Sequence, residues 1–393
     1  MEKNFQMLAK CFYGMESVLA EELKKLGAEE ATEGNRLVKF KGDKGFMYKA
    51  NLCLRNALKI LKPIFQFHAG SDKVLYEKIY QFDWGMIFDS NQTFAIDSVV
   101  HGTVFKHSLY ASQRSKDAIV DRIRKDTGQR PNVDTRDPDI RLHLHVFDKK
   151  CSFSLDTSGS SLHHRGYRTL TNIAPINEVL AAGIIECSAW DRKTDFLDPM
   201  CGSGTFLIEA AMMACNIPAN LHRKAFAFEK WKDWDKDLFE KIRSAQLSRV
   251  SSPVGKIYGF DKAPSAIEKS INNIKNAGLE EFIQVNRADF YNSQKMGDQP
   301  LHLLTNPPYG QRLEGNINDM YQKIGNTFKR SYPNTNAWLI SSNFDALKFI
   351  GLRPTKKIKL FNGKMETRLC LFPIYEGTKK IHKIKNQDNR QSS

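Results

Sequence analysis

The sequence predicts an α/β fold: a mostly parallel sheet with one reversed strand, preceded by a smaller α+β region. Three observations predict it. A glycine-rich corner, Asp-Pro-Met-Cys-Gly-Ser-Gly-Thr at 198–205, stands between the apolar run 195–197 and the helical spacing that begins at Phe206. After an interruption, strand-like and helix-like runs alternate from residue 256 onward. Near the end, two alternating runs flank Asn362-Gly363, a strong hairpin signal, and a hairpin reverses a strand.

The elements follow in order. Residues 6–11 read as a strand. Val18, Leu19, Leu23 and Leu26 recur at helical spacing and Gly27 supplies the stop. Residues 36–40 alternate as a strand, and a helix is expected from Lys44 to about Asn56. These make a small α/β unit over residues 1–60. Residues 61–160 are less regular. A strand is expected at 93–99 and a helix at 112–125, with Ala118, Ile119 and Ile123 on its apolar face and Arg114, Lys116, Arg122, Arg124 and Lys125 on the others. Two alternating runs, 142–147 and 151–155, flank a turn at 148–150. The basic faces of 112–125 are either an ordinary solvated surface or a phosphate-contacting one, and the charge of the whole chain favours the second.

Residues 162–168, Leu-His-His-Arg-Gly-Tyr-Arg, form a basic connector. His163 and His164 are adjacent, and neighbouring side chains point apart on most backbones, so no metal pair is expected. Pro175 suits the first turn of an apolar helix running to Trp190. Residues 218–250, with Phe226, Phe228, Trp231, Trp234 and Phe239 among many charges, read as inserted helices. Those aromatics are expected on the inner face of a packed helix, with base stacking as the other reading. The strand at 256–261 ends in Asp261. Pro264 starts a helix with Ile267, Ile271 and Ile274 on one face, closed by Gly278. Strands follow at 282–286, leading to Asp289; at 301–305, leading into Asn-Pro-Pro-Tyr at 306–309; and at 338–342. The runs 358–361 and 369–372 form the hairpin. Residues 376–393 are basic, poor in apolar side chains, and expected to be a mobile tail.

Composition narrows the function. The chain has 393 residues, enough for two or three domains, and 41% hydrophobic residues supply packed cores. A net charge of +15 favours a polyanionic partner. An anionic membrane is disfavoured, because no stretch approaches about 18 uninterrupted apolar residues and the start does not read as a signal peptide. The seven cysteines form no C-x-x-C pair, so neither a zinc site nor a disulfide framework is indicated, and a reducing, cytoplasmic setting is expected. The oligomeric state is not legible.

The chemistry lies in the two turns. Gly202 and Gly204 lack a β-carbon, so a ligand can lie against the main chain of a tight corner. Asp198 sits where a strand ends, facing the crevice of an open α/β sheet. Alone, the corner also admits the lesser reading of a ligand-free bend. In the second turn, Asn306 brings an amide oxygen, and Pro307 and Pro308 fix the backbone with carbonyls that no adjacent N–H competes for. Tyr309 brings a flat ring. That set suits a planar heterocycle with an exocyclic amine: oxygens accept from the NH2 group and the ring stacks on the base. Alone, it is equally a proline-rich turn capped by an aromatic.

The two turns in this order resemble those of class I S-adenosylmethionine-dependent methyltransferases that act on amino groups of bases. The run from Ser108 through Asp121 resembles a THUMP domain, a small RNA-binding module. Up to about residue 375 the chain resembles the bacterial 23S rRNA guanine-N2 methyltransferases, in the half that some bacteria fuse to a second methyltransferase domain; no such half follows in this sequence. The resemblance implies a ferredoxin-like segment at 1–60, a THUMP domain at 61–160 and a Rossmann-like methyltransferase domain at 161–375. It implies S-adenosylmethionine as cofactor, held by Asp198, Cys201, Gly202, Ser203, Gly204, Thr205, Asp261 at the ribose and Asp289 at the adenine amine, with Asn306 at the border. Asn306, Pro307 and Tyr309 are the implied catalytic residues. RNA is the implied partner, met by Arg114, Lys116, Arg122, Arg124, Arg165, Arg168 and Arg312. Three alternatives stay open: a tRNA guanine-N2 methyltransferase, a DNA adenine-N6 methyltransferase, which uses the same Asn-Pro-Pro-Tyr turn, and a non-catalytic RNA-binding or assembly protein.

Overall fold

Two sheets, each of seven strands, organise the molecule. The computed structural model describes residues 4–169, 176–308 and 316–376. The chain divides into two units. One comprises Met1–Cys11, Leu19–His164 and Arg223–Ala245; the other comprises Phe12–Val18, Arg165–His222 and Gln246–Ser393.

In chain order the first unit's elements are β1 (Phe5–Lys10), α1 (Glu16–Leu26, begun in the other unit), β2 (Glu29–Gly34), β3 (Leu37–Gly42), α2 (Lys44–Cys53), β4 (Lys59–His68), α3 (Asp72–Gln81), β5 (Phe94–His101), α4 (Ser108–Thr127), β6 (Ile140–Phe147) and β7 (Lys150–Asp156). They form one continuous sheet in the order β2-β3-β1-β4-β7-β6-β5, in which β5 and β6 are the parallel pair. The segments expected to be ferredoxin-like and THUMP therefore share a sheet, joined where β4 pairs with β1 on one side and β7 on the other. The expected strand at 93–99 is β5, and the expected helix at 112–125 begins earlier, as α4. The alternation rule missed β4 because Pro63 and a register shift between Pro63 and Phe65 break its period.

The inserted segment packs differently from expectation. It holds one short 3-10 turn, Ala227–Lys230, and one helix, α7 (Lys236–Leu247); α5 (Glu178–Cys187) and α6 (Thr205–Ala214), which precede it in the sequence, belong to the second unit. Its aromatics form a cluster on Tyr48 of α2 instead of one helix's inner face: ring centroids lie 4.6 Å away for Phe228, 5.1 Å for Trp234 and 6.0 Å for Phe239. Arg223 fixes the entry, donating to the carbonyls of Ser158, Ser160, Ser161 and His164. The apolar helix expected to reach Trp190 ends at Cys187; Asn177 caps its start through Val179 and Leu180 N–H.

The second unit adds β8 (Asp195–Asp198), β9 (Ile257–Asp261), α8 (Pro264–Asn276), β10 (Ile283–Arg287), β11 (Leu301–Thr305), α9 (Ile317–Ser331), β12 (Thr335–Ser341), β13 (Lys356–Asn362) and β14 (Met365–Ile374). The sheet order is β10-β9-β8-β11-β12-β14-β13. All pairs are parallel except those made by β14, the one reversed strand, whose hairpin with β13 turns at Gly363 with φ +64°. The order reverses between β8 and β11, whose parallel register sets Leu303 beside Leu197. This is the switch point at which open α/β sheets leave a crevice outside the carboxyl ends of their strands. Leu303, Tyr321, Ile324, Phe328 and Leu339 pack beneath it in one apolar core.

Candidate functional site

The glycine corner is stitched to the neighbouring strand end. Cys201 N–H donates to the Phe260 carbonyl at 3.0 Å, and Gly202 N–H donates to the Asp261 carboxylate at 3.1 Å. Gly202 and Gly204 hold φ of +56° and +80°, left-handed values that a β-carbon would strain. From below, Ser270 Oγ donates to the Gly202 carbonyl and Asn273 Nδ2 to the Ser203 carbonyl, both from α8. The corner is thus held from two directions. Gly259 in β9 is a further requirement that the sequence did not flag: a β-carbon there would come within 2.8 Å of the Asp198 carbonyl oxygen and 2.7 Å of Leu207.

Beside Pro199 and Met200, at the entry to this corner, lies a cavity of about 320 Å3 lined also by Asp261, Asp289, Tyr291 and Pro308, with Asn316 at the cap of α9 and Asp319, Met320 and Lys323 from its first turns. Asp261, ending β9, and Asp289, after β10, are brought to the same wall. Each carboxylate is oriented locally: Asp261 accepts from Gly202 and Ala263 N–H, and Asp289 from Tyr291 N–H at 3.0 Å. A carboxylate has about four acceptor sites, so lone pairs remain for a ligand's hydroxyl or amine protons. Burial, helped by Asp289, pushes the Tyr291 phenol up to about 12.

Other predicted residues are placed in a supporting role. Asp198 is 2% exposed, behind the wall, and accepts from Met200 N–H. Burial pushes its carboxyl up to about 8, with the nearby Asp261 charge adding to the shift. Cys201, Ser203 and Thr205 are buried, and burial drives the Cys201 thiol well above its ordinary range. None of these three, nor Gly202 or Gly204, is among the residues that line the cavity. Asn306 follows β11 directly and is half-buried, Pro307 is buried, and Pro308 reaches the cavity. Tyr309 and Arg312 lie outside the described residues.

The connector's arginines are a correction. Arg165 is fully buried: its guanidinium meets Glu209 at 3.3 and 3.5 Å and the Asn220 amide oxygen at 3.1 Å, while Tyr167 donates to the same carboxylate. Arg168 is 10% exposed and donates to Thr205 Oγ1 and the Ile176 carbonyl, with Glu178 at 3.2 Å. Both brace the underside of α5 and α6, so neither presents a surface to RNA. An unpaired charge is too costly to bury, so charge count in a connector cannot distinguish an exposed arginine from one matched to a distant carboxylate. On α4, Arg114 stacks over Tyr76 at 4.3 Å, while Lys116, Arg122 and Arg124 pair with Asp117, Asp126 and Asp121. The α9 contribution was also missed, although Ile317, Tyr321, Ile324 and Phe328 carry a helical period that would have found it.

Comparison with known proteins bears on the whole chain. Residues 165–370 match the RMKL-like methyltransferase domain, residues 70–156 the THUMP domain and residues 6–61 the RlmL ferredoxin-like domain. The ribosomal RNA large subunit methyltransferase K/L of Methylococcus capsulatus is 35% identical over an alignment of 401 positions, gaps included, that covers 96% of this chain and 54% of that protein. This chain thus spans about half the length of the curated relatives it matches. Among solved structures, SMU.472 complexed with S-adenosylhomocysteine superposes with a TM-score of 0.85 at 28% identity, covering 96% of this chain and all of that one. A predicted N6-adenine-specific DNA methylase from Listeria monocytogenes superposes with a TM-score of 0.84 at 28% identity, over 96% of this chain and 97% of that one. The glycine corner, both acidic strand ends and the Asn-Pro-Pro turn all fall inside the matched span, and the chain belongs to the RMKL-like methyltransferase domain family.

Proposed function

We propose that this chain is a S-adenosylmethionine-dependent RNA methyltransferase that modifies the exocyclic N2 amine of a guanine, in 23S rRNA. The observation that carries the reading is the pair Asp261 and Asp289 on the wall of one cavity at a sheet switch point, with Pro308 of the Asn-Pro-Pro turn on the same wall. The residues present fit the cofactor. A cavity of about 320 Å3 is of the size that encloses a small ligand, and both carboxylates keep acceptor capacity toward it. Asp261 would hold the ribose hydroxyls and Asp289 the adenine amine, while the main chain of 201–205 would pass along the methionine end. Bound there, the cofactor supplies an electrophilic methyl group on a sulfonium.

The chain's own residues then serve the acceptor. An exocyclic guanine amine is a weak nucleophile because its lone pair is delocalised into the ring. The Asn306 amide oxygen and the Pro307 carbonyl would each accept one of its N–H bonds. That polarises the nitrogen, turns its lone pair toward the donor and stabilises positive charge as it develops. Alignment supplies much of the remaining acceleration, and no strong base is needed before transfer. Tyr309 would stack on a base held out of its helix.

The THUMP match and the rRNA-modifying relative favour RNA over DNA. The Listeria relative keeps DNA adenine-N6 as the competing reading. Among the described residues no helix is long and apolar enough to cross a membrane, and the cytoplasm is the proposed setting. Mass spectrometry of nucleosides from a deletion strain separates the readings. Loss of N2-methylguanosine from large-subunit rRNA is expected. Its loss from tRNA would shift the substrate, loss of N6-methyladenine from DNA would replace the reading, and no change would favour a non-catalytic protein.

A further inference from the structure

The sheet of the first unit has two unlike faces. On one, Leu142, Leu144 and Val146 of β6 and Phe153 of β7 are buried, and Ser98 of β5 donates to the Ser108 carbonyl at the start of α4. Side chains of the opposite parity point the other way. There His145, Gln66, His68 and Lys150 are exposed, and Phe147 is 58% exposed although it is a large apolar ring. His101 lies beside Phe147 in register, with its ring centroid 6.2 Å from that of His145. Three flat rings therefore stand together on an open sheet surface.

The same face carries a surplus of cations. Lys59 lies between Asp156 and Asp97, the latter at 3.6 Å, and Arg141 meets Asp97 at 3.2 Å. Lys10 adds a third cation to these two carboxylates, and its Nζ donates to His143 Nε2 at 2.6 Å. An ammonium has no lone pair, so the imidazole must accept and therefore stays neutral. Burial and the adjoining Lys59 bring the Lys10 ammonium down to about 8. An incoming anion would relieve that crowding. Four strand residues, roughly 13 Å at about 3.3 Å each, separate His143 from Phe147 on β6.

We infer that single-stranded RNA lies across this open sheet face, with bases against Phe147 and His101 and a backbone phosphate beside Lys10. The inference rests on the RNA reading above and gives it a surface. Flat rings on a sheet demand unstacked bases, which a duplex does not offer. A protein partner would need a wider apolar centre than Phe147 provides. On α4, Lys116, Arg122 and Arg124 are engaged by neighbouring acids, and Arg114 and Lys125 lie over the Tyr76 and Tyr80 rings.

Fluorescence anisotropy with a labelled 12-nucleotide single-stranded RNA and its duplex form, read over a salt series, tests the surface. Phe147 and His101 are exposed, so their removal spares the core. His101→Ala/Phe147→Ala should weaken single-strand binding by about fivefold or more. Lys150→Glu should weaken it further and lower the salt slope by about one. Lys116→Glu/Arg124→Glu on α4 should change it by less than about twofold. Wild-type affinity in the His101→Ala/Phe147→Ala chain, or loss of binding only in the α4 variant, would overturn the surface. RNA methylation at unchanged KM by the His101→Ala/Phe147→Ala chain would overturn it while leaving the activity standing. Tight single-strand binding by a wild-type chain that never methylates RNA would do the reverse.

Discussion

At the scale of residues, three carboxylates at strand ends do different work because their surroundings differ. Asp261 and Asp289 face the cavity, whereas Asp198 is buried behind it. Asp261→Ala should weaken S-adenosylmethionine binding by about tenfold or more, the value of a diol held by a charged acceptor, measured by calorimetry. Asn306→Ala should lower methyl transfer by about 100-fold or more while leaving cofactor affinity within about threefold; full activity would contradict its role. Asp198, raised to about 8 in the fold from an ordinary 3.8, makes stability fall as pH rises between those values, because the folded chain holds the proton that the unfolded chain releases. His302, lowered to about 4 by burial, acts in the opposite sense, and its contribution is lost as pH falls from 6.5 toward 4. Between pH 6.5 and 8, of these two groups only Asp198 still differs in proton occupancy between the folded and unfolded chain. In urea unfolding Asp198 should therefore contribute a fall in stability there of at most about 1.4 kcal/mol per pH unit, which Asp198→Asn should remove. The strand-end position of all three was legible in the sequence; which of them would be walled off was not, because that depends on neighbours far along the chain.

At the scale of elements, the corner, the alternating strands and the hairpin were readable because each rests on local chemistry: glycine dihedrals, apolar alternation, an Asn-Gly turn. Elements were missed where period or packing is set from outside. β4 is such a case, bent by Pro63 and its register shift; α9 is not, since its regular apolar spacing made it legible, and only its close packing is set by distant residues. Gly325 makes the point for α9. Alanine there would gain about 1 kcal/mol of helix propensity. Yet its β-carbon would lie 1.8 Å from the Ile350 carbonyl oxygen, a rigid main-chain atom. Gly325→Ala should therefore destabilise the chain by about 2 kcal/mol or more, visible as a lower Tm; an unchanged or raised Tm would mean that α9 packs elsewhere. The connector teaches the same lesson with charge. Glu209→Ala would strip the carboxylate from a fully buried Arg165 and should cost about 3–5 kcal/mol in urea unfolding, where a surface arginine pair would cost almost nothing.

At the scale of the whole molecule, the basic charge of +15 pointed to a polyanion, and the two turns pointed to amine methylation. The division of labour was less visible. Residues 223–245 lie between segments of the methyltransferase unit in sequence but fold with the N-terminal unit, through Arg223 and the aromatic cluster on Tyr48. Likewise the sheet of the first unit runs unbroken through the two segments, 1–60 and 61–160, that the sequence reading keeps apart. Sequence pattern reports what each stretch buries, not which distant stretch covers it. The central claim is that the cavity at the switch point delivers a methyl group to a guanine amine in RNA. Its most direct test incubates the purified chain with S-adenosylmethionine and unmodified 23S rRNA, tRNA or DNA, followed by digestion and mass spectrometry of the nucleosides. N2-methylguanosine in the 23S rRNA sample, absent with Asn306→Ala, is the expected result; N6-methyladenine in DNA, or no methylated nucleoside in any sample despite measurable cofactor binding, would contradict it.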